Sequence, residues 1–394
     1  MSERVTREQF EQAAFDALFS TWDPDFVGTP EGADAIDEVL YRRQQRAEAH
    51  AVKWLSRFLD LPNSNVIEIG CGTGAASIPL ARVCRKLTGL DIDAHSIELA
   101  RLRAVYHGVH DNVEFMAVTP ERLLDAALEC AREVDVFVLY AVLEHLTPAE
   151  RVHYLRAMWD SLPAGGALVV IDTPNRLTWE DKHTAWMDFF HMLPDEYVCD
   201  YAGRSPRPFF EKTMRGLDQA NFREQRYRWG LGASFHEFEL ALSEKLDEIV
   251  VADGLEQEMV DLFPVGEDEV ALRKYFLSRG IAQPIGFSRA VLNLILRKAA
   301  SPSERQANAT YNARSWERER IRHFPSVSPL GRLWRRFAAT PETEGLRRDL
   351  RHARKLANER YAAIQKMERM IRERDLQIQA LDERLHKPTG PGGS

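Results

Sequence analysis

The sequence predicts an α/β fold, a doubly wound and mainly parallel sheet of seven strands with helices on both faces. Three observations predict it. From Asn65 onward, short apolar runs of strand character alternate with segments of helical spacing. The first run is followed at once by three glycines, Gly70, Gly72 and Gly74, in "NVIEIGCGTGAAS". The second run ends on an acid, Asp91. Strand–helix alternation implies right-handed crossovers and a parallel sheet buried on both sides.

Residues 1–60 read as helices, the first 44 as a cap. In "DEVLYRRQQRAEAHAVKWLSRFLDL", Val39, Leu40, Ala47, Ala51, Trp54, Leu55 and Phe58 fall near one face. "NVIEIG" is the first strand, and "AASIPLARVC" the helix behind it, with Pro79 in its first turn or at a kink. "KLTGLDI" is the second strand, and "AHSIELARLRAVYHG" a helix closed by Gly108. "NVEFMAV" and "VDVFVLYAV" are the third and fourth strands. The helix "PAERVHYLRAMWDSL", the turn "PAGG" and the fifth strand "ALVVIDT" follow. "TMRGLDQANFREQRYRWG" reads as a helix and then a strand, Leu231 to Phe287 as a largely helical insertion, and "RAVLNLILRK" as the last strand.

Hydrophobic residues make up 44% of the 394, enough for a large core. No apolar run reaches the ~18 residues of a membrane span. The charged start "MSERVTREQF" has no apolar signal region, and Cys71, Cys84, Cys130 and Cys199 are scattered without a zinc spacing. A cytoplasmic protein with reduced thiols is expected. The net charge of −8 is uneven. Residues 299–394 carry 20 Lys and Arg against 12 Asp and Glu, which is +8 and leaves −16 on residues 1–298. An acidic body has the wrong sign for a nucleic-acid substrate.

Glycine in a folded element costs about 0.5–1 kcal/mol against alanine. Three of them at a strand-to-helix turn point to a ligand that approaches the backbone, where open parallel sheets bind nucleotides. Asp91, 19 residues after Gly72, can accept both hydroxyls of a ribose. Two cofactors fit. Gly70, Gly72 and Ala75 match the dinucleotide pattern G-x-G-x-x-A; S-adenosylmethionine (SAM) is the other.

"VIEIGCGTGAAS", "LTGLDID", "VDVFVLYAVLEHL" and "PAGGALVVIDTPNR", in that order, resemble the class I SAM-dependent methyltransferases. The nearest subgroup resembles the ubiquinone-biosynthesis O-methyltransferases. The resemblance covers roughly residues 45–230 and the last strand near 298. It implies a Rossmann-like methyltransferase domain over residues 45–300, with the helical insertion at about 231–287, and SAM as cofactor. It also implies that Glu68, Gly70, Gly72 and Gly74, with Cys71 in the same loop, line the methionine end. Asp91 would hold the ribose, Ile92 would lie against the adenine, and Tyr140 and Ala141 would flank the sulfonium. Thr119 stands after the third strand, where the family often has an acid for the adenine amine. The NAD alternative lacks a second domain with a recognisable hydride-transfer site.

Methyl transfer mainly needs alignment and exclusion of water. A neutral hydroxyl acceptor also needs a base, a task that suits histidine near neutral pH. The candidates are His145, His183, His191 and His236. His236 is favoured because it opens "SFHEFELALSEKL", a helix that Ser234 can cap and that is expected to fold over the cofactor mouth. His145 comes second, oriented by Glu144, with His183 behind them. "TPNRLTWEDKHTAWMDFFHMLPDEYVCDY" sets Trp179, Trp186, Phe189, Phe190, Tyr197 and Tyr201 beside Glu180 and Asp181. Aromatic faces beside carboxylates suit a sugar; the plainer alternative is an aromatic lid packed on the core. The expected acceptor is a hydroxyl of a glycan or other polar small molecule, with a phenol or quinone-like ring, or a nitrogen acceptor, as the rival. A coiled-coil scaffold with a non-catalytic domain is the rival from outside enzymes. Glu144, Asp172 and Asp181 could approach one another, but no ligand spacing demands a metal, and none is expected.

Residues 301–343 read as a polar linker, 344–387 as a coiled coil and 388–394 as a disordered tail. Leu350, Ala357, Ile364, Ile371, Ile378 and Leu385 share one heptad position; Leu346, Ala353, Arg360, Met367, Arg374 and Leu381 share another. Self-association, or capture of a partner helix through residues 345–386, is expected. "LGRLWRRF", Leu330 to Phe337, reads as a short helix able to make weak contact with a membrane surface.

Overall fold

Strands β1 (Asn65–Ile69), β2 (Lys86–Asp91), β3 (Val113–Ala117), β4 (Val136–Tyr140), β5 (Ala167–Pro174), β6 (Val250–Ala252) and β7 (Val291–Arg297) form one seven-stranded sheet. Its order is β3-β2-β1-β4-β5-β7-β6. The first five strands are parallel, and β7 runs antiparallel to both β5 and β6. The computed structural model describes residues 5–315 except 182, 208 and 280–287. The expected coiled coil, the tail, the helix at Leu330 to Phe337 and the linker beyond residue 315 lie outside the described residues. The described start of the linker, Pro302–Ser315, is helical.

The strands are apolar on both sides because both sides are covered. Side chains alternate across a strand. Ile67 and Ile69 enter one core with Phe137, Leu139 and Val170, under the helices Leu123–Cys130 and Pro148–Ser161. Val66 enters the other with Leu87, Val138 and Val169, under Trp54, Leu55 and Leu80. Burying one such side chain fully is worth about 1.5–3 kcal/mol.

The sixth strand differs from the sequence reading. Residues 210–228 form two helices, Phe210–Gly216 and Phe222–Arg228, and the strand lies at Val250–Ala252 inside the insertion. Phe222 and Arg226, one helical turn apart, are both buried: Phe222 packs in a local cluster with Phe190, and Arg226 donates to the carbonyls of Phe190 and Leu193. That tertiary demand overrides the strand-like alternation of the segment.

The N-terminal cap is helical. Thr6 and Gln9 form a capping box at the helix Arg7–Ala17. Thr29 caps a continuous helical run over residues 30–58, with Pro30 in its first turn. Two stretches of that run, Glu38–Arg42 and Ala47–Ala51, are widened to π turns. Phe10, Leu18, Phe19, Val39 and Leu40 seat the cap on Leu99 of the helix Ala94–Tyr106.

Candidate active site

β1 pairs with β2 on one side and β4 on the other, so the chain reverses its direction of winding there. A crevice opens at such a point, beyond the carboxyl ends of the strands. It holds a cavity of about 670 Å³. Glu68, Gly70, Cys71, Gly72, Thr73, Ala75 and Ala76 supply one wall, from β1 and its following loop. Tyr140, Ala141, Glu144 and His145 come from the end of β4, Asp172 from β5, and His183 from the segment after it. The N-terminal run adds Glu38, Arg43 and Arg46, and the insertion adds Leu262 and Phe263.

The glycines divide the labour. Gly72 has φ +50°, and a Cβ there would meet nothing within 4 Å. This is a cradle left open to the cavity, in a conformation that glycine adopts without strain. Gly74 is not a lining residue. A Cβ on it would lie 3.0 Å from the Ala100 Cβ and 3.1 Å from Phe115 Cζ, so its role is close packing of the loop. Asp91 fastens the loop: its Oδ2 accepts from the Gly72 N–H at 2.7 Å, and its Oδ1 from the Asp93 N–H at 2.9 Å. Ile92 and Thr119 are exposed and lie outside the lining.

Buried acids surround the cradle. The Ser77 hydroxyl donates to Glu68 at 2.5 Å, yet burial pushes the Glu68 carboxyl up to about 7. Burial lifts Glu144 to about 8; its Oε2 accepts from the Thr173 hydroxyl at 3.3 Å, and its Oε1 has no hydrogen-bond partner among the described residues. Asp172 is lifted to about 6 by burial, against the pull of Arg46 and Arg43. Ala141 and Asp172 both hold positive φ, 55° and 57°, without being glycine. Such backbone costs of order 1–3 kcal/mol and clusters at functional sites. Here the Ala141 N–H donates to the Ile171 carbonyl and the Asp172 N–H to Asn293 Oδ1, both at 2.9 Å, and these bonds retain the strained turns.

The histidines are placed otherwise than the sequence suggests. The helix Phe235–Leu242 buries Phe238, Ala241 and Leu242 in the core with Leu155 and Met158 of the helix Pro148–Ser161, so it packs on that helix and not over the cavity. His236 is exposed, stacked on Phe235 with ring centroids 3.9 Å apart, and is not a lining residue. Its neighbour Glu237 is engaged elsewhere, accepting from Arg151 at 3.1 Å and from the Ser234 N–H at 2.6 Å. His191 is buried and also off the cavity.

His145 and His183 meet in the cavity, their ring centroids 5.9 Å apart. His145 Nδ1 lies 2.8 Å from the Arg228 carbonyl, which can only accept, so Nδ1 carries the proton. Nε2 is left as the basic nitrogen, 3.8 Å from Glu144 Oε1. Burial pushes the His183 imidazole below its ordinary value. One ligand atom each from Glu144, His145 and His183 falls within a 4.8 Å group, a set that could hold a divalent metal ion. Asp181, a candidate neighbour in the sequence, instead caps the His183 turn, accepting from the N–H groups of His183, Thr184 and Ala185 at 3.2, 2.7 and 3.0 Å.

Of the aromatics after β5, Phe190 is buried in a local core, whereas Trp186 and Phe189 are 51% and 58% exposed. Sequence reasoning missed Glu38, Arg43 and Arg46. Charged residues on a helix that carries an apolar stripe read as a solvated face, and nothing local shows that this face roofs a cavity.

A family described as a methyltransferase domain matches residues 66–166. The mitochondrial ubiquinone biosynthesis O-methyltransferase of Arabidopsis thaliana is 36% identical over 111 residues, 28% of this chain and 32% of its own length. The ubiquinone biosynthesis O-methyltransferase of Pseudomonas fluorescens Pf-5 is 30% identical over 158 residues, 40% of this chain and 62% of its own. The chain therefore spans between 32% and 62% of the length of these relatives. Among solved structures, magnesium protoporphyrin IX methyltransferase from Synechocystis PCC 6803 with bound SAM is 23% identical at a TM-score of 0.30, over 43% of this chain and 75% of that one. The open cradle at Gly72, the acid that fastens it and the cavity beside both fit a nucleoside cofactor, and with the methyltransferase-domain match over residues 66–166 they support a SAM-dependent methyltransferase domain in this chain.

Proposed function

We propose that the protein transfers a methyl group from SAM to a hydroxyl oxygen of a small acceptor, with His145 as the base and His183 beside it. The observation that carries this reading is the grouping of His145, His183 and Glu144 in the cavity that the glycine loop opens. When bound, SAM supplies an electrophilic methyl group on a sulfonium. Gly72 and Asp91 would hold it, with Glu68, Tyr140 and Ala141 around the cradle. His145 has its Nδ1 proton committed to the Arg228 carbonyl, so Nε2 can take the acceptor's proton as the oxygen attacks. The Glu144 carboxyl, its Oε1 3.8 Å from that nitrogen, gives it a polar neighbour inside the cavity. Leu262 and Phe263 add apolar surface to the cavity lining.

The aromatic and acidic segment after β5, whose Trp186 and Phe189 are exposed outside the cavity lining, is the ground for a hydroxyl on a sugar or other polyhydroxyl ring as the acceptor. The relatives named for ubiquinone biosynthesis support a phenolic ring as the second reading. Turnover of labelled SAM against saccharide acceptors and catechol-type acceptors, with mass spectrometry of the products, separates the two. Label on a sugar oxygen supports the first reading, label on a phenol supports the second, and label on nitrogen only defeats both.

A further inference from the structure

Arg103 lies in the helix Ala94–Tyr106 and is fully buried. Every acceptor that it reaches is neutral. Its Nε donates to the Thr73 carbonyl at 2.9 Å. Nη1 donates to the Leu40 carbonyl at 2.6 Å and to Gln44 Oε1 at 3.2 Å, and Nη2 to the Val39 carbonyl at 2.9 Å. The guanidinium also lies over the Phe10 ring, 5.6 Å from its centroid. Burying a cation without a carboxylate is costly unless its donors are satisfied, and four hydrogen bonds here offset that cost.

Those four acceptors belong to two separate walls of the cavity. Thr73 is in the loop that follows β1. Val39, Leu40 and Gln44 belong to the N-terminal run, interleaved with Glu38, Arg43 and Arg46, which line the cavity themselves. Both carbonyls taken from the run lie in the π turn Glu38–Arg42. One rigid fork thus spans from the cofactor loop to the helix that roofs it. Lysine could not reproduce this, since its single ammonium cannot match a planar array of donors.

We propose that Arg103 is a positioning residue that couples the N-terminal cap to the cofactor loop, so that SAM binding also seats residues 38–51 over the cavity. It acts without touching SAM. The inference rests on the assignment of the cavity as the SAM site.

Amide hydrogen exchange on the full chain, with and without saturating SAM, tests it. In the parent, SAM should slow exchange across residues 38–51 by tenfold or more. In Arg103→Met that slowing should shrink to under twofold, and the Kd for SAM by calorimetry should rise about tenfold. Arg103→Lys should fall between, and carries the test if the Met variant does not fold. Leu99→Ala is the control: Leu99 packs on the same cap but donates nothing to the loop. It should speed exchange in both states and keep the response to SAM. Full SAM-dependent slowing in Arg103→Met or Arg103→Lys, or equal loss of it in Leu99→Ala, overturns the coupling. A parent that does not bind SAM in the calorimeter overturns the cofactor assignment, and the coupling with it.

Discussion

The two sides of the cavity are built in different ways. The cofactor side is backbone: a glycine loop at the end of β1, fastened by an acid at the end of the neighbouring strand 19 residues on. The proposed acceptor side is side chains gathered from afar. His145 is fixed by the carbonyl of Arg228, 83 residues away, and the turn that carries His183 is clasped by Asp181 and by Arg207, which donates to the His183 and Thr184 carbonyls at 2.7 Å each. A binding site made of local backbone can be read from spacing. A catalytic site made of long-range contacts cannot, and it is correspondingly easier to alter without disturbing the first.

That contrast can be broken by mutation. The largest effect expected is in His145→Gln combined with His183→Gln, which removes both imidazoles from the cavity. Turnover should fall by about 10²–10⁴-fold. Asp91→Ala comes next. It frees the Gly72 N–H and removes a carboxylate able to bond a ribose, each charge-assisted bond being worth about 1.5–3 kcal/mol; SAM affinity should fall at least tenfold with the fold intact. Glu144→Gln is smaller and shows in stability. The Glu144 carboxyl is raised from an ordinary 4.5 to about 8, so the folded state binds more protons than the unfolded one across that range. Parent stability therefore drops as pH rises from about 4.5 to 8 on this account, and the glutamine variant lacks that contribution. Thermal unfolding should show the variant gaining on the parent by on the order of 1–3 kcal/mol between pH 5 and 8.5; a gain independent of pH would count against a buried neutral acid. His236→Gln is the smallest. An exposed ring off the cavity should leave turnover within twofold of the parent, and a hundredfold loss would restore the insertion as the lid.

Much of the fold was legible because each strand carries its own signal. The apolar runs at Val66–Ile69 and Val136–Leu139 are buried on both faces, and no distant contact is needed to recognise them. The glycine loop was legible for the same reason, though not the division within it: that Gly74 packs against Ala100 and Phe115 while Gly72 opens to the cavity depends on neighbours from another helix and strand. The sequence placed His236 above the cofactor on the assumption that the insertion folds over the cavity. Phe238, Ala241 and Leu242 instead commit that helix to the helix Pro148–Ser161, and an amphipathic pattern cannot say which apolar surface it will meet. Arg103 was invisible for a related reason. An arginine on a helix normally reads as solvated, and its burial follows only from the cap that closes over it.

The central claim is that binding and chemistry reside on separate walls. It is tested most directly by measuring two quantities on two variants: the Kd for SAM by calorimetry, and turnover at saturating SAM, for Asp91→Ala and for the double variant His145→Gln, His183→Gln. The account predicts a crossed result. Asp91→Ala should weaken SAM at least tenfold and keep most of its saturated turnover, and the double variant should keep the parent's SAM affinity within about twofold and lose at least a hundredfold in turnover. Loss of SAM affinity in the double variant equal to that in Asp91→Ala, or full turnover without either histidine, would contradict it.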